Sequence, residues 1–285
     1  MTEERPEPPA DLDGPEYAGT VPEDLTELLP EGGPAAADRA KAVAEDYADL
    51  PEWLRTLAAA VAGIQPGDHY LGRPPLRRPS SLAGDPNPSA VLILFADSLP
   101  HGPDVLITER SATLRSHAGQ AAFPGGRIDP LNGAGAGSDG LGSESPEHAA
   151  LREAREEAGV DPAGVRVFGE LPELYLPPSD FLVTPVLAWW QTPGRAAVTS
   201  PEEVAAVHRV PVAALVDPAN RFRLRHPSGY QGPAFLVDEL LVWGFTAGVL
   251  DAVLRLAGWE RPWEPAEILE LPLDVREIRR AHGPA

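Results

Sequence analysis

The chain has 285 residues, of which 43% are hydrophobic, so it is long enough to bury one full-sized core or two small ones. It contains no cysteine, which excludes disulfide bonds, thiolate metal sites and cysteine nucleophiles. A formal net charge of -20 argues against binding of polymeric nucleic acid, because such binding relies on cationic contacts to phosphates. The charge does not exclude binding of small phosphorylated ligands, since a divalent metal can join protein carboxylates to phosphate oxygens.

Residues 1–50 are rich in proline, and their acidic side chains outnumber their basic ones, which is typical of a disordered extension. This start lacks the basic region and the apolar run of a secretory signal. The most apolar long stretch of the chain is too short and too charged to span a bilayer, so we expect a cytoplasmic protein with no membrane partner. Residues 51–87 predict a helix, with Leu54, Leu57 and Val61 at helical spacing, and then a proline-rich connector.

A catalytic domain is predicted at residues 88–260, followed by a C-terminal tail at residues 261–285. Its first two strands are SAVLILFA and DVLITER, and we expect them to be neighbours. Residues 130–143 are glycine-rich without apolar periodicity, which predicts a flexible loop. Later strands are expected at VRVFGEL, FLVTPVLAWW, VAAVHRV and AFLVDEL, and LLVWGFTAGVLDAVLRLAG predicts a closing helix. Strands separated by helices predict an α/β sandwich.

One further helix is well delimited by its flanking residues. Ser145 suits an N-cap, Pro146 suits the first helical position, and Gly159 suits a C-terminal cap.

On this helix three glutamates stand at i, i+3 and i+4, namely Glu153, Glu156 and Glu157. Their like charges repel one another on one side of the helix, and a bound cation would reverse that repulsion. Oxygen ligands of this kind suit Mg²⁺ or Mn²⁺. From the residues alone, the alternative is a solvated helix face whose glutamates pair with Arg152 and Arg155.

The segment REAREEAGV, from Arg152 to Val160, resembles the second half of the Nudix box. The pattern of that box is G, five residues, E, seven residues, then R-E-(apolar)-x-E-E-x-G-(apolar). Glu144 stands at the expected distance before Arg152, whereas Ser138 occupies the position of the box glycine. The best match for that glycine is Gly126, so the loop at 130–143 is interpreted as an insertion within the box.

A second stretch, LITERSATLRSHAGQAAFPGG at residues 106–126, is similar to a signature of the coenzyme A pyrophosphatases of the Nudix family. That signature is approximately LLTxRSxxLRxHxGQVxFPGG, and Ala121 departs from its usual valine. The resemblance spans roughly residues 88 to 257. It implies a Nudix fold, which is an α/β/α sandwich around a mixed β-sheet, with the box forming a loop-helix-loop active site.

The resemblance also implies that Glu153, Glu156 and Glu157 ligate Mg²⁺ or Mn²⁺, which bridges to the diphosphate and helps to generate the attacking hydroxide. Either Glu153 or Glu203 would act as general base, and the sequence does not separate them. Arg152 is expected to orient Glu156 through an i, i+4 pair.

Glu144 would either cap the helix or lie in the outer shell of the metal. Arg110 and Arg115 are candidates for gripping phosphates, because guanidinium groups suit phosphate oxygens. His117 would either contact a phosphate, as hydrogen-bond partner or proton donor, or bond to the backbone. Gly125 and Gly126 fit a turn that approaches the site closely, where a Cβ would obstruct the backbone or the ligand.

The expected reaction is hydrolysis of coenzyme A or acyl-coenzyme A to 4′-phosphopantetheine, or its acyl form, and adenosine 3′,5′-bisphosphate. One alternative keeps the chemistry and changes the substrate to another nucleoside diphosphate derivative, such as ADP-ribose, NADH, a dinucleoside polyphosphate or a noncanonical nucleoside triphosphate. A second alternative is a non-catalytic Nudix-fold binding or regulatory module, which the insertion in the box suggests. The expected partner is a small molecule, and the sequence leaves both a monomer and a homodimer open.

Overall fold

The computed structural model describes residues 47–65, 67–72, 76, 78–80, 82, 84–114, 117–131, 142–227, 229–263 and 268–271. In chain order its elements are α1 (Glu52–Gly63), β1 (Asn87–Ala96), β2 (Asp104–Arg110), β3 (Ala121–Ala122), β4 (Gly125–Arg127), β5 (Pro130–Leu131), β6 (Gly142–Ser143), α2 (Pro146–Ala158), β7 (Val165–Glu170), β8 (Leu174–Leu176), β9 (Phe181–Trp190), β10 (Val204–Pro211), α3 (Val212–Leu215), β11 (Arg221–Arg225), β12 (Gln231–Val237), β13 (Leu240–Val242), α4 (Gly244–Leu256) and β14 (Ile268–Glu270).

The main sheet is mixed and has the strand order β10-β2-β1-β9-β7, with β3, β4 and β8 pairing at its sides. The central strands β1 and β9 run parallel, whereas β1 pairs antiparallel with both β2 and β4. A second sheet has the order β13-β12-β11-β14. Because β1 pairs with β2, the predicted adjacency of the first two strands is confirmed.

Both faces of the main sheet are covered, which explains why its central strand is almost continuously apolar. Ala90, Leu92 and Leu94 of β1 pack on one face with the alanines of α2. Ile93 and Phe95 pack on the opposite face in a larger core that also includes residues of α1, α4 and the second sheet. The predicted α/β/α sandwich around a mixed sheet is confirmed.

The predicted closing helix is partly wrong, because its first residues form a strand. Leu240–Val242 pair with β12 as β13, and Trp243 follows in extended conformation. Gly244 then has a φ of 67°, and α4 begins at this residue. Strand pairing thus determines the conformation of an apolar run that periodicity alone does not separate from helix.

The predicted loop at 130–143 begins and ends in paired residues, because Pro130 pairs with Ser143 and Leu131 with Gly142. Residues 132–141 lie outside the described part of the chain. Of the predicted extension at residues 1–50, the structure describes only residues 47–50. Leu50 of this segment is buried in the core. The predicted tail contains β14, which pairs in parallel with β11. The domain limits at 88 and 260 stay a prediction.

Within the described ranges, no helix combines the length and the apolar character that a membrane crossing requires.

Candidate active site

Helix α2 has the limits that its flanking residues predict. The Ser145 hydroxyl accepts a hydrogen bond from the amide of His148 at 3.2 Å, which caps the N-terminus. Gly159 has a φ of 67°, in the left-handed region, and its amide donates to the Arg155 carbonyl at 3.1 Å. This left-handed residue ends the helix directly after the glutamates.

The side of α2 that faces the main sheet consists of alanines. Ala149, Ala150, Ala154 and Ala158 are fully buried against the sheet. Because alanine has only a methyl side chain, the helix axis lies close to β1 and β4. The glutamates of α2 are therefore brought to the backbone of β4.

Strand β4 requires glycine at two positions, at one because of its close contact with α2 and at the other because of its close contact with β1. A Cβ built on Gly126 would overlap the Glu153 carboxylate, and a Cβ built on Gly125 would overlap the Ala90 carbonyl oxygen. The Gly125 amide donates to Glu157 Oε2 at 3.3 Å. A Cβ would thus obstruct both positions, as predicted, but the two glycines lie in strand β4 and not in a turn.

Arg152 links residues outside α2 to the side of α2 that carries the glutamates. Its Nε and Nη2 donate to the two Glu144 carboxylate oxygens at 3.2 and 3.0 Å, and Nη2 also donates to the Arg127 carbonyl at 2.9 Å. Its Nη1 donates to Glu153 Oε1 at 2.9 Å and to Glu156 Oε2 at 3.4 Å. The expected pair between Arg152 and Glu156 is present, but it is the longest of these contacts.

The principal partner of Arg152 is Glu144, whose expected role in the outer shell of the metal stays a prediction. Burial raises the pKa of Glu144, but the hydrogen bonds from Arg152 and from the Asp129 amide outweigh it, so that the pKa lies below its ordinary value. The hydrogen bonds to Glu144 and then to Glu153 raise the pKa of Arg152. This pair is therefore ionised and compensated in charge.

Glu157 has a different environment from its sequence neighbour Glu156. The Glu156 side chain is 57% exposed, whereas Glu157 is only 3% exposed. Burial, followed by repulsion from Glu153, raises the pKa of Glu157 to about 8, although Arg110 and the Gly125 amide act in the opposite direction. Without a bound cation the Glu157 carboxyl therefore holds its proton up to about pH 8, because the protein compensates its ionised form incompletely.

Glu153 shows the same tendency to a smaller degree. Burial raises its pKa, Arg152 opposes the change, and the charges of Glu156 and Glu203 add to it. The carboxylate of Glu203 also contributes to the raised pKa of Glu157, after burial and the charge of Glu153. The three carboxylates of Glu153, Glu157 and Glu203 are therefore electrostatic neighbours, whereas Glu156 is turned towards Arg152.

Arg110 and Glu203 come to the site from the end of β2 and the start of β10. The Glu203 carbonyl accepts from the Ser111 amide at 2.8 Å, which joins the two segments, and the Glu203 side chain is exposed. The Arg110 Nε is buried and has no hydrogen-bond partner among the described residues. A cationic group with an unused donor thus lies near Glu157.

The remaining predicted residues are His117 and Arg115. His117 is exposed, with a φ of 56°, and its Nδ1 lies 2.9 Å from Gln120 Oε1. Arg115 lies outside the described residues. Among the residues that the structure describes, no three acidic or histidine side chains already stand together as ligands of one metal ion.

A family model described as "NUDIX domain" matches residues 86–230, just over half of the chain. The chain belongs to the Nudix family. The Cronobacter sakazakii protein named "Uncharacterized Nudix hydrolase NudL" is 35% identical over 202 residues, covering 68% of this chain and 96% of that protein. A Photorhabdus laumondii protein of the same name is 34% identical over 175 residues, covering 60% of this chain and 86% of that protein. A crystal structure of a Nudix hydrolase from M. smegmatis, RenU, is similar with a TM-score of 0.42 and 20% identity, covering 64% of this chain and 91% of that chain.

As a Nudix hydrolase the chain acts on diphosphate bonds. Nudix hydrolases generally use divalent metal ions, and the donor chemistry of this site fits such an ion. Glu153 and Glu157 supply oxygen ligands only, and the ionised form of the buried Glu157 lacks a full counterion. A divalent cation between these carboxylates would provide one.

Two features of this Nudix site were not predicted. One is the pairing of Glu144 with Arg152, which a continuous helix would place about 12 Å apart along its axis, so that their spacing gives no signal for the contact. The other is Thr199, whose hydroxyl donates to the Glu156 carbonyl at 2.7 Å and so contacts the last turn of α2. A lone threonine between two strands gives no local signal for such a distant contact.

Proposed function

We propose that this Nudix hydrolase cleaves the diphosphate linkage of coenzyme A and acyl-coenzyme A. The products are 4′-phosphopantetheine, or its acyl form, and adenosine 3′,5′-bisphosphate. The diphosphate chemistry is supported above all by the buried, incompletely compensated Glu157 beside Glu153 and Arg110. The coenzyme A preference is supported by the stretch at residues 106–126, which supplies Arg110 and the two glycines of the site.

In this proposal Glu153, Glu156 and Glu157 hold Mg²⁺ or Mn²⁺. When bound, the ion neutralises phosphate charge and makes a water molecule more acidic. Among the residues that the structure describes, the Glu156 carboxylate has a single ion pair, with Arg152 at 3.4 Å at an exposed position, and such pairs contribute about 0–1 kcal/mol. Its carboxylate therefore needs little free energy to turn away from Arg152.

Glu203 is the better candidate for the general base. The Glu153 carboxylate is already engaged by Arg152 and packs against Gly126. The Glu203 side chain is exposed, and its negative charge contributes to the raised pKa of both Glu153 and Glu157. In the proposed step Glu203 takes a proton from water while the water oxygen bonds to one phosphorus. The bond from that phosphorus to the bridging oxygen breaks, and the electron pair leaves with the departing phosphate.

Arg110 is proposed to bind the phosphate oxygens, because its buried Nε is an unused donor beside the carboxylates. Arg115 and His117 stay predicted phosphate ligands from the same stretch. The Nδ1 of His117 contacts Gln120, so a phosphate contact of this residue would come from Nε2. Gly125 and Gly126 stay predicted residues of the substrate site, where their lack of a Cβ lets the β1 backbone and the Glu153 carboxylate lie against β4.

The test is a panel assay in H₂¹⁸O with Mg²⁺ or Mn²⁺. Purified protein is incubated separately with coenzyme A, acetyl-coenzyme A, dephospho-coenzyme A, ADP-ribose, NADH and a dinucleoside polyphosphate. The products are separated, and their masses are measured by mass spectrometry. We expect the highest kcat/KM for coenzyme A or its thioester, and one ¹⁸O atom in one of the two products. A higher kcat/KM for ADP-ribose or NADH would contradict the coenzyme A assignment.

A further inference from the structure

The segment between β9 and β10 runs along the last turn of α2. The Ala197 amide donates to the Ala158 carbonyl at 3.1 Å, and the Thr199 amide donates to the Glu157 carbonyl at 3.2 Å. The Thr199 hydroxyl donates to the Glu156 carbonyl at 2.7 Å. The last carbonyls of a helix have no partners within the helix, so this segment provides them from outside.

The same segment closes into a turn directly after Thr199. The Ser200 carbonyl accepts from the amides of both Glu203 and Val204, at 3.0 and 2.9 Å. The Glu203 carbonyl then accepts from the Ser111 amide at 2.8 Å. The backbone of Glu203 is therefore fixed at two places, to α2 through Thr199 and to the end of β2 through Ser111.

Thr199 contacts the backbone of α2, which carries the proposed metal ligands. It lies only four positions before Glu203, the candidate base. The hydroxyl of Thr199 contacts the carbonyl of Glu156, and the carboxylates of Glu153 and Glu157 project from the same two turns of α2. A shift of Thr199 along the helix would move Glu203 relative to both carboxylates. Misplacement by about 1 Å can lower a reaction rate about 100-fold.

We propose that Thr199 is a positioning residue of the hydrolytic reaction, which keeps Glu203 at a fixed distance from Glu153 and Glu157. The inference rests on the proposed function, in which Glu203 accepts the proton of the attacking water. A threonine that only capped the helix would affect stability, and its effect on turnover would not depend on Glu203.

The first experiment compares Thr199→Val, which removes the hydroxyl and keeps the shape, with Thr199→Ser, which keeps the hydroxyl. Thr192→Val is the matched control, because Thr192 is an exposed threonine of the same segment whose amide bonds to Gly164. On the best substrate of the wild type we expect Thr199→Val to lower kcat ~10-fold and to change KM less than ~2-fold. Thr199→Ser and Thr192→Val should keep kcat within ~2-fold of the wild type. Equal loss in the serine and valine variants would overturn the proposal.

The second experiment is a double-mutant cycle with Glu203→Gln. If Thr199 acts through Glu203, Thr199→Val should lower kcat less than ~2-fold in the Glu203→Gln background. The same tenfold factor in both backgrounds would show that Thr199 acts independently of Glu203, and the proposal would be wrong.

A third measurement separates this inference from the proposed function, because it needs no substrate. Amide hydrogen exchange at Ser111 reports the hydrogen bond to the Glu203 carbonyl. We expect ~10-fold faster exchange in Thr199→Val and no change in Thr199→Ser or Thr192→Val. An unchanged Ser111 rate in Thr199→Val would overturn the inference even if the wild type hydrolyses coenzyme A. A wild type that hydrolyses none of the panel would contradict the proposed function, whereas faster Ser111 exchange would still support the link between Thr199 and Glu203.

Discussion

Two charged clusters are buried in this molecule, and they differ in how their charges are balanced. Between the second sheet and α4, the Arg221 side chain is fully buried and donates to Asp251 at 2.5 Å and to Glu260 at 3.2 Å. Its guanidinium carbon also lies 4.5 Å from the centroid of the Trp263 ring. Under β4, by contrast, Glu157 is buried beside Glu153, with one backbone amide and the charge of Arg110 as its compensation.

The difference separates a structural cluster from a functional one. A buried charge is costly unless it is paired, and two carboxylates balance the charge of Arg221, although its Nε and Nη1 have no hydrogen-bond partner among the described residues. The carboxyls of Glu153 and Glu157 have too little compensation for both to ionise readily, so a bound cation would stabilise their ionised forms. We therefore expect substitutions in the first cluster to change stability, and substitutions in the second to change turnover.

Glu157→Gln should have the largest effect on activity, because it removes a proposed metal ligand and keeps the shape of the side chain. We expect kcat to fall about 10³-fold, measured with saturating Mg²⁺ or Mn²⁺ and the best substrate. Glu147→Gln is the matched control, since Glu147 is an exposed glutamate in the first turn of the same helix. Near-normal turnover in Glu157→Gln would refute the metal-site assignment.

Gly126→Ala should lower kcat/KM about 100-fold, because the added Cβ overlaps the Glu153 carboxylate and displaces it. Gly63→Ala provides the control, since a Cβ at Gly63 meets no atom within 4 Å. Circular dichroism of both variants checks that the fold is kept. If Gly126→Ala has wild-type kinetics, the close contact between β4 and Glu153 is not needed for catalysis.

Arg221→Met should destabilise the protein by about 3 kcal/mol, because Asp251 and Glu260 then lose their buried partner. Its kcat should stay within ~2-fold of the wild type at a temperature where both are folded. Arg225→Met is the comparison, because its ion pair with Glu270 is exposed and should contribute less than about 1 kcal/mol. Denaturant unfolding measures both values, and a large loss of kcat in Arg221→Met would contradict the division into two clusters.

The last expected effect concerns stability and not turnover, namely a pH dependence of stability in the metal-free protein. The pKa of Glu157 is raised from 4.5 to about 8, so between these values the folded protein holds a proton that the unfolded chain has released. Stability that depends on this proton falls as pH rises through the window. The melting temperature of the wild type should therefore decrease more steeply from pH 5 to pH 8 than that of Glu157→Gln. Parallel curves for the two proteins would argue against the buried environment of Glu157.

The sequence predicted those parts of the site that depend on local patterns. Ser145 and Gly159 delimit α2 through backbone requirements that lie within a few residues, and the spacing of the glutamates follows from helical geometry. It did not predict that Glu156 is exposed and Glu157 buried, because neighbouring glutamates differ only in what other segments place next to them.

The same reason explains what was missed in the fold. Leu240–Val242 are apolar enough for a helix or a strand, and their pairing with β12 decides between the two. The partners of Arg221 are 30 and 39 residues away in sequence, and no local pattern connects them. Contacts of this kind depend on the complete fold.

The pairing of β5 with β6 has a practical consequence. Pro130 and Ser143 are partners, and the Glu144 amide donates to the Asp129 carbonyl at 2.8 Å, so the chain leaves and returns at one point just before α2. The free energy of closing a loop grows only slowly with its length. The connection between β5 and β6 is therefore a suitable place to insert an epitope or a fluorescent domain as a reporter. We expect Glu144 to keep its contact with Arg152 in such a fusion protein.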